Sequence, residues 1–280
     1  LKMRLAPWAL LLVSAGWGLA FVVMKDAIER QSVNSFLFSR FLMAVVVMFL
    51  IKPRVIKAIN KEILQKGFIA GLFLASGYIL QTLGLALTGA AITGFITGLY
   101  VVATPVLAAL LLKDRVTPFT WVCVAIATVG LALLSLKGWD LGFGEFLVFL
   151  CAIGFAAHII ALSNWSNGLD VYAMTIVQLA TCALMTGAIS FAQGYEAPVD
   201  TAGWMVIIYT AVFCTAIAFV VQTWSQAHMS ATKVAVILTM EVVFAAFFAI
   251  VFGGETLTVR ALVGGVLVML AMFMIVLKEA

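Results

Sequence analysis

Ten apolar runs, separated by short segments that hold nearly all the charge, constrain this chain more than any other feature. They fall at residues 8–24, 36–51, 67–87, 90–112, 118–136, 143–162, 171–191, 202–222, 234–252 and 261–277. A helix needs about 20 mainly apolar residues to cross the hydrocarbon of a bilayer, and these runs match that length. Strands of a membrane barrel would be about ten residues long and would alternate in polarity; these runs do neither. Backbone placed in lipid must satisfy its own hydrogen bonds, which leaves the helix. Only 10% of the 280 residues are charged, against roughly 25% in a soluble domain. The sequence therefore predicts an all-α integral membrane protein with ten transmembrane helices. The first run is too long for the core of a cleaved signal, and no cleavage site before a polar chain follows it.

Lys and Arg accumulate in cytoplasmic loops, so the few basic residues orient the runs. With both termini cytoplasmic, Lys2, Arg4, Lys52, Arg54, Lys57, Lys61, Lys66, Lys113, Arg115, Lys233 and Lys278 all lie inside. Lys25, Arg30, Lys137 and Arg260 fall outside, and Arg40 lies within the second run. The segment around Glu196 and Asp200, expected outside, has no basic residue.

The chain also repeats itself. Shifted by 141 residues, positions 78–136 align without a gap on the second half, with eleven of 59 identical. Gln81 and Thr82 fall on Gln222 and Thr223, Val101 and Val102 on Val242 and Val243, Asp114 on Glu255, and Thr117 on Thr258. With a small gap upstream, Gly18 meets Gly154 and Arg40 meets Gln178. The expected organisation is a first five-helix repeat at 1–136, a short external linker at 137–142 and a second repeat at 143–280. Five crossings are an odd number, so the second copy inserts upside down. Inverted repeats are a hallmark of secondary transporters that bind substrate near the midplane.

Several segments in this order resemble the drug/metabolite transporter superfamily, in particular its EamA-type members with two five-helix repeats. They are Trp17-Gly18, Arg40, Pro105 within 101–112, the stretch 240–246 running to 254–258, and Gly264-Gly265. Val243 departs from the pattern, because the family often places a proline after the glutamate. Within the family the chain looks most like YddG-type exporters of aromatic and other neutral amino acids. That resemblance implies a bacterial inner-membrane protein with a central cavity that opens alternately to each side. It also includes a glutamate at position 241, which favours a structural role for Glu241.

Polar groups at membrane depth usually face the bundle interior. Ser14, Trp17 and Phe21 share a helix face, as do Tyr78, Gln81 and Thr82, and Thr93, Thr97 and Tyr100. Aromatics normally sit at the membrane interfaces, so Trp17, Tyr78 and Tyr100 at mid-span suggest a cavity wall; helix packing is the competing role for each. His158 shares a face with Gly154, Ala161 and Trp165, and is either a ligand contact or proton acceptor or a satisfied core histidine. Glu241 in the middle of its run must pair, protonate or bind a cationic group. The candidate substrate-binding set is Trp17, Tyr78, Gln81, Thr82, Tyr100, His158, Trp165 and Glu241.

Absences narrow the cargo. Beyond Arg40 no basic residue lies deep in a run, which disfavours phosphorylated solutes that need fixed positive charge. There is no Walker A loop for ATP and no hydrolytic or metal motif within the runs, so neither an enzyme nor a metal or other cofactor is expected. Cys123, Cys151, Cys182 and Cys214 sit in different runs and read as small apolar packing residues. The expected partners are a small neutral solute, membrane lipid and optionally protons, without nucleic acid, for a protein acting as a monomer. Proton-coupled efflux of lipophilic or cationic drugs is the main alternative, and a membrane sensor or assembly factor is a further one.

Overall fold

The computed structural model describes residues 2–112, 117–137, 140–165, 168–228, 237–238 and 240–279. They form α1 (Lys2–Arg30), α2 (Val33–Ile51), α3 (Lys61–Leu87), α4 (Ala90–Thr97), α5 (Tyr100–Leu112), α6 (Pro118–Ser135), α7 (Phe143–Trp165), α8 (Val171–Gln193), α9 (Thr201–Ala211), α10 (Ala218–His228), α11 (Met240–Val251) and α12 (Val259–Glu279). Among the described residues the only extended pairing joins β1 (Leu136–Lys137) to β2 (Asp140–Leu141) across the 137–142 linker. Seven helical stretches are long and apolar enough to cross a membrane, and three more, Pro118–Leu134, Met240–Val251 and Val259–Met274, are shorter but apolar. The start of the ninth run and Lys113, Asp114, Arg115 and Lys233 lie outside the described residues.

Large apolar residues also cover much of the exterior. Leu12 and Leu50 are about three-quarters exposed, and Trp8, Leu110, Phe213 and Val266 stand out from the surface beside them. Water would penalise such a surface, whereas lipid accepts it.

Helices of the first repeat segment find their main partners in the second. α3 packs on α7 and α8, α2 on α8, α1 on α11, α4 on α11, α5 on α7, and α6 on α12. This pattern survives exchange of the two sets of five runs. First-with-ninth (α1 with α11) has its counterpart in sixth-with-fourth (α7 with α4 and α5), and third-with-seventh (α3 with α8) in eighth-with-second (α9 with α2). Small residues permit the closest crossings. A Cβ on Gly18 would stand 2.6 Å from Phe244 Cβ and 2.7 Å from the Ala245 nitrogen, and one on Gly130 would stand 2.8 Å from the Gly264 carbonyl.

Two expected helices are interrupted. The run at 90–112 breaks at Gly98 and Leu99 into α4 and α5, with tight turns in which Leu99 N–H donates to Ile96 O (3.1 Å) and Val101 N–H to Gly98 O (3.1 Å). The run at 202–222 passes through a wide π turn, Val212–Ile217, between α9 and α10, where Ala218 N–H donates to Phe213 O. Hydropathy does not register either change, because a switch of hydrogen-bond partner by one residue leaves the apolar content unaltered.

One end of the bundle is clasped by polar contacts between the two segments. Glu255 accepts from the first N–H groups of α4, at Ala90 (2.6 Å) and Ala91 (3.2 Å), where free donors and the helix dipole favour a carboxylate. Thr88 donates to Glu145 (2.8 Å), Gln31 to the Glu196 carbonyl (2.6 Å), and the Ser32 N–H to the Glu196 carboxylate (2.7 Å). Arg30 pairs with Asp200. At the other end, cross-segment polar contacts include the Lys52–Asp170 pair at 3.5 Å and the Tyr172 hydroxyl on the Met48 carbonyl at 2.8 Å.

Candidate functional site

The interrupted helices meet at a cavity walled by residues of both segments. Trp17, Tyr78, Gln81, Tyr100, His158 and Glu241 all line it. Thr82 and Trp165 lie outside its described lining. The Thr82 hydroxyl turns back onto its own helix, donating to the Tyr78 carbonyl at 2.8 Å. Trp165 packs against the satellite cluster of Ala70, Ala161, Leu162 and Met174.

The lining also includes residues that helical spacing did not single out: Phe155, Ile159, Phe219, Gln222, Leu238 and Arg40 among them. Translation by the repeat would have found several. Tyr78 and Phe219, Gln81 and Gln222, Thr97 and Leu238, and Tyr100 and Glu241 are all 141 residues apart, and all eight line the cavity. Equivalent positions of the two segments thus face each other across one space, with differing chemistry at three of the four pairs.

The aromatic groups form a connected wall. The Tyr78 ring meets Phe41 at 5.2 Å, Phe155 at 5.3 Å and Phe219 at 6.3 Å, with edges toward faces; this geometry suits the ring quadrupoles. Trp17 lies 5.9 Å from Phe219, and its indole N–H donates to the Cys214 carbonyl at 2.7 Å. That carbonyl belongs to the π turn. Trp17 therefore combines the packing role with a place in the wall.

His158 is 2% exposed, with Nε2 2.6 Å from Gln178 Oε1. The Gln178 amide N–H₂ donates to the Met174 carbonyl at 3.2 Å, which fixes its oxygen toward the histidine. Nε2 therefore carries the hydrogen, and Nδ1 remains as an acceptor. For Nε2 the satisfied-core role holds.

Arg40 is 2% exposed and also lines the cavity. Its Nε–H donates to the Thr215 hydroxyl (2.8 Å), Nη1 to the Met24 sulfur (3.4 Å) and Nη2 to the Cys214 carbonyl (3.5 Å). Its guanidinium carbon stands 4.8 Å from the Tyr78 ring centre. A desolvated cation–π contact contributes about 2 kcal/mol, while a buried charge deprived of its partner costs about 3–5 kcal/mol. These neighbours steady the guanidinium without neutralising it. Among the described residues no ion pair reaches Arg40 or Glu241. Gln81 donates to the Thr97 hydroxyl at 3.2 Å; in the second segment Leu238 replaces that threonine, and the side-chain carbonyl of Gln222 is buried without a hydrogen-bond partner.

Comparison with known proteins agrees with this architecture. An uncharacterized transporter of Archaeoglobus fulgidus is 29% identical over 278 residues, covering 99% of this chain and 87% of the relative. A crystal structure 14% identical in sequence superposes with a TM-score of 0.69, covering 99% of this chain and 98% of the other, so it shares the fold. The profile of the EamA-like transporter family matches residues 4–136 and again 142–277. The chain is a multi-pass membrane protein, and it belongs to the EamA-like transporter family.

Proposed function

We propose that this chain exports neutral amino acids, aromatic ones preferentially, across a bacterial inner membrane by alternating access. In this reading all ten runs cross the bilayer, both termini are cytoplasmic, and the second five-helix repeat is inverted relative to the first. The observation that carries it is the cavity lined by equivalent positions of the two segments, the arrangement expected of a midplane site between inverted repeats. The lining supports the substrate class: Trp17, Tyr78, Phe155 and Phe219 offer an apolar wall, and the charged groups are one arginine and one glutamate. A phosphorylated solute would meet too little positive charge there. The clasp built on Glu255, Glu196 and Gln31 lies at the end that the basic residues assign to the outside, which supports a state closed on that face.

The alternative is proton-linked efflux of lipophilic cations, supported by Glu241, which has no hydrogen-bond or ion-pair partner among the described residues. Counterflow of radiolabelled phenylalanine, methionine and threonine in proteoliposomes separates the two. Saturable phenylalanine exchange is expected. No movement of any of the three, with transport of a cationic dye intact, would replace the amino-acid reading by the efflux one.

A further inference from the structure

We infer that Arg40 and Gln222 are specificity-determining residues for the transported solute: Arg40 takes its carboxylate, and the side-chain carbonyl of Gln222 takes its ammonium group. This rests on the amino-acid reading above and assigns the two ends of the substrate.

Burial and hydrogen bonding converge on Arg40. It is a fully buried guanidinium on the wall of the cavity. Every polar partner it has among the described residues is neutral, a hydroxyl, a thioether and a carbonyl. A guanidinium carries five N–H donors in a planar fork; the three contacts leave two of them without an acceptor among the described residues. The π turn supplies two of those three partners, Thr215 and the Cys214 carbonyl, so a local departure from α-helix serves to hold this side chain. What the site lacks is a planar anion with two oxygens, the group that pairs with such a fork.

Gln222 presents the complementary deficit. It is 5% exposed, lines the same cavity, and its carbonyl oxygen has no donor. The equivalent Gln81 donates its amide N–H to Thr97, a contact that Leu238 does not offer Gln222. A buried acceptor and a buried fork of donors around one cavity match the two ends of a zwitterion. The ring wall at Tyr78, Phe155 and Phe219 then takes an apolar side chain. A solute with an amine and no carboxylate leaves Arg40 unneutralised and should be excluded.

Competition against radiolabelled phenylalanine counterflow in proteoliposomes tests this. For the unmodified protein, 3-phenylpropionate should compete, and phenylalaninamide and 2-phenylethylamine should not, even at a hundredfold excess. Arg40→Gln should lower phenylalanine counterflow at least tenfold, with Arg40→Lys retaining part of it. Gln222→Leu should raise the KM for phenylalanine several-fold while leaving inhibition by 3-phenylpropionate unchanged. Competition by phenylalaninamide equal to that by phenylalanine would overturn the assignment, and that measurement does not depend on any variant folding. Inhibition by 3-phenylpropionate weakened by Gln222→Leu as much as phenylalanine counterflow is would overturn the ammonium half. If phenylalanine is not transported, thermal stabilisation of the protein by 3-phenylpropionate, present in the unmodified chain and lost in a folded Arg40→Gln variant, keeps the carboxylate anchor and discards the amino-acid reading. Absence of that stabilisation discards both.

Discussion

Side chains in this protein divide by where their polar atoms are used up. Hydroxyls such as Thr82, Thr104, Thr181 and Thr223 donate to the carbonyl four residues earlier on their own helix, so they are silent toward a solute. Asp200, outside the spans, engages its oxygens differently. It caps α9 by accepting the Gly203 N–H at 2.8 Å and pairs with Arg30. The Gly203 N–H first, and then the Arg30 guanidinium, hold its carboxyl below the ordinary carboxylate range. A depressed carboxyl favours the folded state above its unfolded pKa, and that contribution fades as pH falls through the folded value. Asp200→Asn, which keeps a competent cap, should lower the thermal midpoint in detergent slightly at pH 6, with the difference closing below about pH 4. A gap unchanged at pH 3 would show that charge is not its origin. Mid-span position made Trp17, Tyr78 and Tyr100 legible as cavity residues and Glu241 as a group needing a partner, because polar or aromatic groups there stand out against leucine and valine. Phe155 and Phe219 carry no such signal; a phenylalanine facing a cavity reads the same as one facing lipid. Thr82 shows the converse, since spacing reports its face and not the direction of its hydroxyl.

Helices here are positioned by what they lack as much as by what they carry. α11 passes against α1 at Gly18, against α4 at Gly94 and against the break after it at Gly98, which brings Glu241 to the cavity wall. Gly16, two residues before Gly18, is less crowded. A Cβ there would meet the Tyr209 hydroxyl at 3.6 Å and the Cys214 sulfur at 3.9 Å, both ordinary contact distances. Gly18→Ala should therefore destabilise the protein by roughly 1–3 kcal/mol through overpacking and impair transport, while Gly16→Ala should leave both nearly unchanged. Thermal unfolding and counterflow of the two variants check this, and equal behaviour would remove the close approach as the reason for glycine at position 18. The apolar runs were legible because lipid imposes one length and one polarity on each. Their interruptions were not. At Val212–Ile217 one additional residue occupies a turn, so the faces of α10 are rotated by about 100° relative to an unbroken helix. With the turn rewound to α geometry, Phe219 and Gln222 would leave the wall they occupy.

At the scale of the molecule, the alternating-access proposal makes the clasp at one end a gate. Gln31 and Glu196 belong to different segments and touch there. Replacing both by cysteine and joining them with a short thiol cross-linker should reduce counterflow to background, with recovery when a cleavable linker is cut. The four native cysteines are buried, so labelling should be confined to the introduced pair, and undiminished transport after complete cross-linking would exclude opening at this end. The repeat was legible as weak identity, yet it did not convey how intimately the two copies are interleaved. α1, α2, α3 and α6 each lie chiefly against helices made after residue 142. During synthesis the first segment is made before its main partners, and in the ten-span proposal it waits for them in the bilayer. The contacts between the segments, and the cavity they enclose, can form only after the second has followed.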